Sequence, residues 1–405
     1  MKKRLVSMLL LTAMLSMTGC AGAGTPIDEV SDSQAVVREA SEIDINTNMH
    51  MASIMDQLSE ATPEDNILLS GTSINMALGM TMQGADGDSL SALEDFYGAD
   101  AGDVADYANS LMTRYDKIKG VDVKMSNAIY CDENNVFTDE YVKKIKDKYR
   151  ADSSALPFHS SPESSADAIN DFCNDSTDGM IPEIVSPEIV NQSDAILVNA
   201  LYFNGKWAKK FEDHQVNDFE FNNISGQVTT VKGMSAKTTD TYVNDNAMAF
   251  SYAYKDDSIV FIGVLPDESI CDDNGNFNIS DIDIDDLLQS HIKQNAYFTV
   301  PKFSLECNSI LDDALKNEGL GSLYENYDLT GMAEAPLSVS TVIHKVKVEI
   351  DEEGTKAAAA TAVATTKNAV EVESFIEIRL DRPFAFMVYD KEADEVLFMG
   401  KVVTL

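Results

Sequence analysis

The residue types best suited to acid–base or metal chemistry are spaced so that they support neither. Five histidines, His50, His159, His214, His291 and His344, form no HExxH or HxxxH pair that would set two imidazoles on one helical face. No GxSxG nucleophile elbow, Walker loop or dinucleotide-binding glycine pattern occurs. Cys131, Cys173, Cys271 and Cys307 are scattered, with no CxxC, and read as free or buried thiols. The acidic loop Asp272 to Asp283 comes nearest to a metal site, because Asp272, Asn274 and Asn276 have the spacing of a calcium loop. Phe277 stands where that turn needs Gly, however, and Asp283 where a bidentate Glu belongs, so the loop reads as solvated surface. No metal, cofactor or catalytic residue is expected, and the chain does not read as an enzyme.

The elements around these residues begin with an export signal. Met1 to Cys20 carries Lys2, Lys3 and Arg4, an apolar run from Leu5 to Met17, and then Thr18, Gly19 and Cys20. The run is too short for a membrane-spanning helix and has the form of a secretory signal. Its end resembles a bacterial lipobox, with Met17 where Leu is usual. That resemblance implies cleavage before Cys20, leaving residues 1–19 as signal peptide and a lipid anchor on the Cys20 sulfur. A plain cleaved signal with Cys20 incidental is the alternative. Either way the chain is expected outside the cell, as a bacterial surface lipoprotein or a secreted protein. Residues 20–46 are rich in small and acidic residues and read as a disordered tether. Residues 47–405 show no further linker and read as one large domain, long enough to fold without disulfide staples.

Charge narrows the partners. The chain has 68 acidic residues against 30 Lys plus Arg, a net charge of −38, and loss of the three basic signal residues takes this to −41. Nucleic acid is excluded, because phosphate binding needs a basic footprint. The acidic surface keeps a secreted protein soluble and attracts cationic partners.

Apolar residues recur at helical spacing over Thr47–Glu60, Ser73–Gln83, Ser89–Tyr97, Asp103–Tyr115, Thr138–Lys148 and Ser164–Asn174. Strand-like runs follow at Lys124–Tyr130, Ala195–Phe203, Ala247–Tyr254, Ile259–Leu265, Tyr297–Leu305, Val342–Ile350 and Phe375–Val388, with VLFMGKVV near the end. Helices crowded early and strands late point to an α+β fold with helices packed around large antiparallel sheets.

Between the last two strand regions lies Asp351 to Thr366, DEEGTKAAAATAVATT. An Ala/Thr tract reads first as an exposed helix or a linker. Its period of two permits another reading. Thr355, Ala357, Ala359, Thr361, Val363 and Thr365 would share one strand face, all small or β-branched, while the single charge, Lys356, falls on the other. The tract then reads as a strand without a sheet.

Six motifs in order resemble the serpins over about Asn66 to Val403. They are NILLSGTSINMALGM, ILVNALYFNGKWAKKF, VPKFSLE, GLGSLYE, VIHKVKVEIDEEGTKAAAATA and DRPFAFMVYD with VLFMGKVV. Gly71 departs from the pattern, which usually has Pro there. The resemblance implies a serpin fold with three β-sheets, eight or nine helices and an exposed reactive-centre loop. It implies a monomeric, metastable protease inhibitor whose loop, once cut, inserts into the main sheet as a new strand. About fourteen residues at roughly 3.3 Å each would carry the bound protease some 45 Å.

Site residues carry over by the same resemblance. Glu352, Glu353, Gly354, Thr355, Lys356, Ala357, Ala358, Ala359, Ala360 and Thr361 match the hinge, whose small residues suit an inhibitor. Glu352 matches an acid paired with Lys302. Ser70, Ser73, Asn199 and His344 match a polar cluster where the sheet must part, and Trp207 the aromatic above it. The family interval places the cleaved bond at Asn368–Ala369, with cleavage after Lys367 or Thr366 as alternatives. Lys367 would suit a trypsin-like serine protease, and Thr366, Thr365 or Val363 an elastase-like one. A cysteine protease target, or a non-inhibitory surface binding role, is the runner-up. A lipid anchor is the only membrane contact expected.

Overall fold

Helix starts are set by side chains that accept from otherwise unpaired N–H groups of the first turn. Ser70 Oγ accepts from Ser73 N at 3.2 Å, Asp100 Oδ1 from Gly102 N and Asp103 N at 2.8 and 3.0 Å, and Thr138 Oγ1 from Tyr141 N at 3.2 Å. The computed structural model describes residues 45–326, 328–333, 337, 339–355 and 375–405. In chain order these form α1 (Asn48–Ala61), β1 (Ile67–Leu69), α2 (Gly71–Met82), α3 (Gly87–Tyr97), α4 (Ala101–Tyr115), β2 (Val121–Asp132), α5 (Asp139–Tyr149), β3 (Asp152–Leu156), α6 (Pro162–Ser176), α7 (Pro187–Asn191) and β4 (Ala195–Lys206). There follow β5 (Val216–Asn222), β6 (Val228–Val243), β7 (Ala247–Ala253), β8 (Ile259–Pro266), α8 (Ile284–Gln289), β9 (His291–Pro301), β10 (Phe303–Ile310) and the one-turn helices α9 (Asp312–Leu315) and α10 (Ser322–Glu325). The chain closes with β11 (Ile343–Ile350), β12 (Gly354–Thr355), β13 (Ile376–Arg379), β14 (Phe384–Asp390) and β15 (Glu395–Val402).

The strands form a six-stranded sheet, β10-β11-β12-β4-β2-β3, and a nine-stranded sheet, β1-β15-β14-β8-β7-β6-β9-β13 with β5 on β6. The larger sheet has two halves, joined where Thr241–Val243 of β6 pair with Met248–Phe250 of β7. The three-sheet α+β architecture is therefore present, with two sheets fused along β6. Ten α-helices occur among the described residues.

All six expected helices are present. Two expected strands are each split, however. Tyr297–Leu305 divides at Lys302 into the end of β9 and the start of β10, which belong to different sheets. Phe375–Val388 divides into β13 and β14 around the segment containing Pro383. β5 and β6 lie outside the expected strands, because their polar, half-exposed alternation carries no apolar run.

The core lies around β14 and β15, where Phe261 stacks on Phe386 with ring centroids 5.7 Å apart and Phe203 meets Phe398 edge-on at 6.2 Å. Lys401 and Asp56 are among the ionisable side chains buried there. Lys401 Nζ donates to Ser59 Oγ and the Phe277 carbonyl at 2.8 and 2.5 Å. Asp56 accepts from the backbone of Ile279 and Ser280 at 2.6 and 3.0 Å. These contacts pin the acidic loop by its backbone, and Asp272 Oδ1 accepts from the N–H groups of Asn274 and Asn276 at 2.8 and 2.9 Å.

Glu395, at the start of β15, ties α2 and α4 to the core. It accepts from Thr72 Oγ1 at 2.5 Å and from the Tyr107 hydroxyl. Burial raises its carboxyl to about 7. Between the unfolded value near 4.5 and 7, the fold holds a proton that the unfolded chain has lost. The stability this group contributes is present at low pH and declines as pH rises through 7. Relative to Glu395→Gln, the wild type should lose about 3 kcal/mol of unfolding free energy between pH 4.5 and 7.5. Urea unfolding at several pH values checks this, and parallel profiles for the two proteins would contradict it.

Candidate functional site at the hinge and sheet gap

The chain leaves β11 through a turn that its own first residue closes. Asp351 Oδ1 accepts from the N–H groups of Glu353 and Gly354 at 2.8 and 3.1 Å, and Asp351 N donates to the Gly354 carbonyl at 3.0 Å. The segment following β4 holds the outer side of this turn. Trp207 Nε1 donates to the Asp351 carbonyl at 2.8 Å, Phe211 N to that of Glu352 at 3.0 Å, and Trp207 N to that of Glu353 at 3.1 Å. Lys302, at the junction of β9 and β10, pairs with Glu352 and holds its carboxyl below the usual range. Lys210 Nζ lies 3.7 Å from Glu353 Oε1.

Gly354 and Thr355 then enter the sheet. As β12 they lie between β4 and β11, with Gly354 opposite Lys206, and Thr355 opposite both Gly205 and Ile350. Of the expected hinge, Gly354 and Thr355 are therefore strand residues seated in the sheet. Gly354 is required by close approach, since a Cβ there would lie 2.1 Å from the Gly205 carbonyl oxygen. Thr355 is 1% exposed, and its Oγ1 is 2.7 Å from the Tyr254 hydroxyl. The Tyr254 ring stacks on Trp207, centroids 4.6 Å apart.

Below this point the sheet is parted. Among the described residues β4 and β11 share no ladder with each other; each pairs with β12. Both run away from the Gly205–Thr355–Ile350 register in the same direction, so Asn199 and His344 come level across the gap. A cavity of about 30 Å³ lies there, lined by Leu197, Asn199, Ile343, His344 and, from α2, Ser73 and Ala77. His344 Nε2 accepts from Ser70 N at 3.0 Å, and burial lowers the imidazole to about 3, so it is neutral. Asn199 Nδ2 donates to Asn127 Oδ1 at 2.6 Å, while its own Oδ1 is buried and unpartnered among the described residues. Ser70, Ser73, Asn199 and His344 are thus gathered around one gap, with Trp207 and Lys302 at its head.

Tyr254, Asn127, Gly205 and Asp351 belong to the same arrangement and escaped the sequence reading. Only Asp351 carried a legible signal, an Asp three residues before Gly, the pattern of an Asx turn. Lys356, Ala357, Ala358, Ala359, Ala360, Thr361, the bond Asn368–Ala369 with its alternatives Lys367 and Thr366, and Cys20 lie outside the described residues.

Gly354→Val should drive β12 out of the gap, because the obstructing atom is backbone and cannot turn aside. Trp207 is the only tryptophan and donates twice to the hinge turn, so its emission should shift to the red in that variant. An unchanged spectrum would show that the hinge keeps its seat.

Comparison with known proteins agrees with this architecture. Residues 46–405 match the family described as Serpin (serine protease inhibitor). An uncharacterized serpin-like protein of Methanosarcina acetivorans is 27% identical over 98% of this chain and 95% of its own length. A leukocyte elastase inhibitor of Xenopus tropicalis is 30% identical over 85% of this chain and 94% of its own. The native crystal structure of the thermophilic serpin tengpin superposes with a TM-score of 0.77 at 27% identity, covering 88% of this chain and 94% of tengpin. With the family match running through hinge, gap and core, the chain belongs to the serpins.

Proposed function

We propose that this serpin is a suicide-substrate inhibitor of an extracellular serine protease, acting by insertion of its cleaved loop between β4 and β11. The observation that carries the reading is β12. Two residues of the tract already occupy the position of a central strand, hydrogen-bonded on both sides. A strand continuing that register would bring Thr361 level with Asn199 and His344, placing a small hydroxyl beside the unpartnered Asn199 Oδ1.

The residue types support full insertion. Thr355, Ala357, Ala359, Thr361 and Val363 would face the core and Lys356 the solvent. About a dozen new backbone hydrogen bonds, at roughly 1 kcal/mol net each, would favour insertion by on the order of 10 kcal/mol. One unpaired charge on the inward face would remove several of these.

The bait bond in this reading is Asn368–Ala369, with Lys367 and Thr366 as the neighbouring choices. Relatives named leukocyte elastase inhibitors, about 30% identical, support an elastase-like target. The run Val363 to Thr366 would suit the small pocket of such an enzyme. Export through the N-terminal signal and an anchor on Cys20 would hold the inhibitor at a bacterial surface, where such a protease is met.

The test is to mix the protein with elastase-like and trypsin-like proteases and run denaturing gels. An SDS-resistant complex and a released C-terminal peptide beginning at Ala369 are expected, and the melting temperature of the cleaved protein should rise sharply. Loop cleavage by every protease without a complex would refute inhibition. Thr361→Arg should fold yet become a substrate, because insertion in the β12 register would draw its guanidinium in beside Asn199 and His344. Retained inhibition by that variant would refute insertion.

A further inference from the structure

Behind the hinge seat, β6 and β7 diverge. Their ladder covers Thr241–Val243 and Met248–Phe250, and beyond it the strands separate into a cleft of about 600 Å³. The β6–β9 ladder also slips between Thr238 and Asp240, and such irregularities re-aim side chains beside binding sites. The volume is within the range of clefts that hold small molecules, roughly 300–1,000 Å³.

Its chemistry runs against that of the whole molecule. Lys209, Lys237 and Lys391 reach it from three separate segments: the stretch after β4, strand β6, and the turn after β14. Among the described residues none of the three makes an ion pair, in a chain whose net charge is −38. The acids around them have other partners, and one of them, Asp240, lines the cleft together with its partner His291. Asp240 faces His291 at 3.0 Å, Asp394 accepts from the Tyr389 hydroxyl at 2.5 Å, and Glu392 pairs with Arg114 at 2.6 Å. The walls between the ammonium groups are aromatic and aliphatic, from Tyr242, Tyr252, Tyr389, Val260 and Leu288. Lys237 Nζ is held over the Tyr297 and Phe375 rings, 4.7 and 4.8 Å from their centroids and outside the cleft. Lys209 and Lys391 keep no ion pair among the described residues, and two such cations beside aromatic walls suit a ligand with an aromatic body and an anionic head.

We propose that this cleft binds a small aromatic anion, one bearing a carboxylate, sulfate or phosphate group. The site also touches the hinge seat. Tyr252 donates to the Lys209 carbonyl at 2.5 Å, and its ring lies 5.4 Å from that of Trp207.

The probe is 5-dimethylaminonaphthalene-1-sulfonate, titrated into the full-length protein with excitation of Trp207, the sole tryptophan. Its sulfonamide, with the same ring and no charge, is the control. Saturable energy transfer from Trp207 to the sulfonate is expected, with binding of the sulfonamide about tenfold weaker or less. Lys209→Glu with Lys391→Glu should weaken the sulfonate about tenfold and leave the sulfonamide unchanged. Both lysines are exposed, and an unaltered melting temperature verifies the fold of the variant. Equal affinity for the two probes, an unaffected double variant, or no saturable transfer at millimolar probe would each overturn the proposal.

Discussion

Two strands that lie beside each other in a sheet without pairing present inward-facing edges, and buried N–H and C=O groups on such edges are unfavourable unless something completes them. In this chain β4 and β11 stand in that relation, and only Gly354 and Thr355 among the described residues bridge them. The other features of the site follow from this. The Asp351 turn aims the chain into the gap, Gly354 lets the backbones approach while Gly205 leaves room for the Phe203 and Tyr254 rings, and α2 with its N-cap carries Ser73 and Ser70 beneath the parted region.

The polar groups that face the gap are each held from their own side. Asn199 bonds to Asn127 on its own side and His344 to Ser70 on the other, so neither depends on the other. His344 is neutral through burial and therefore brings no charge to the gap that would need solvent. The head of the gap is different in kind. Trp207, Tyr254, Phe211 and Lys302 contact the hinge through backbone carbonyls, one hydroxyl and one carboxylate, which fixes its position closely.

Much of this was legible in the sequence. Helix positions followed from apolar spacing and capping residues, and of the small-residue tract read as a strand lacking a sheet the structure describes Gly354 and Thr355, which lie in one. The splitting of Tyr297–Leu305 was not legible, because one continuous apolar run feeds two sheets and only the third dimension separates them. β6 was hidden for the opposite reason, its threonines and lysines alternating without an apolar signal. Tyr254 could not be chosen from 14 tyrosines, since its role depends on Thr355 entering the sheet some hundred residues later.

The segment after Thr355 is held at both ends. Thr355 is seated in the six-stranded sheet, and β13, which resumes at Ile376, is paired in parallel with β9 in the other. An intact backbone between two such anchors is a brake, because one end cannot travel the length of the gap while the other stays bound. A cut anywhere between them releases that brake equally well. Under the proposed insertion, the residues that select a protease would be mechanically separate from those that drive the movement. The former could then be exchanged for a new target while hinge, gap and core stay as they are.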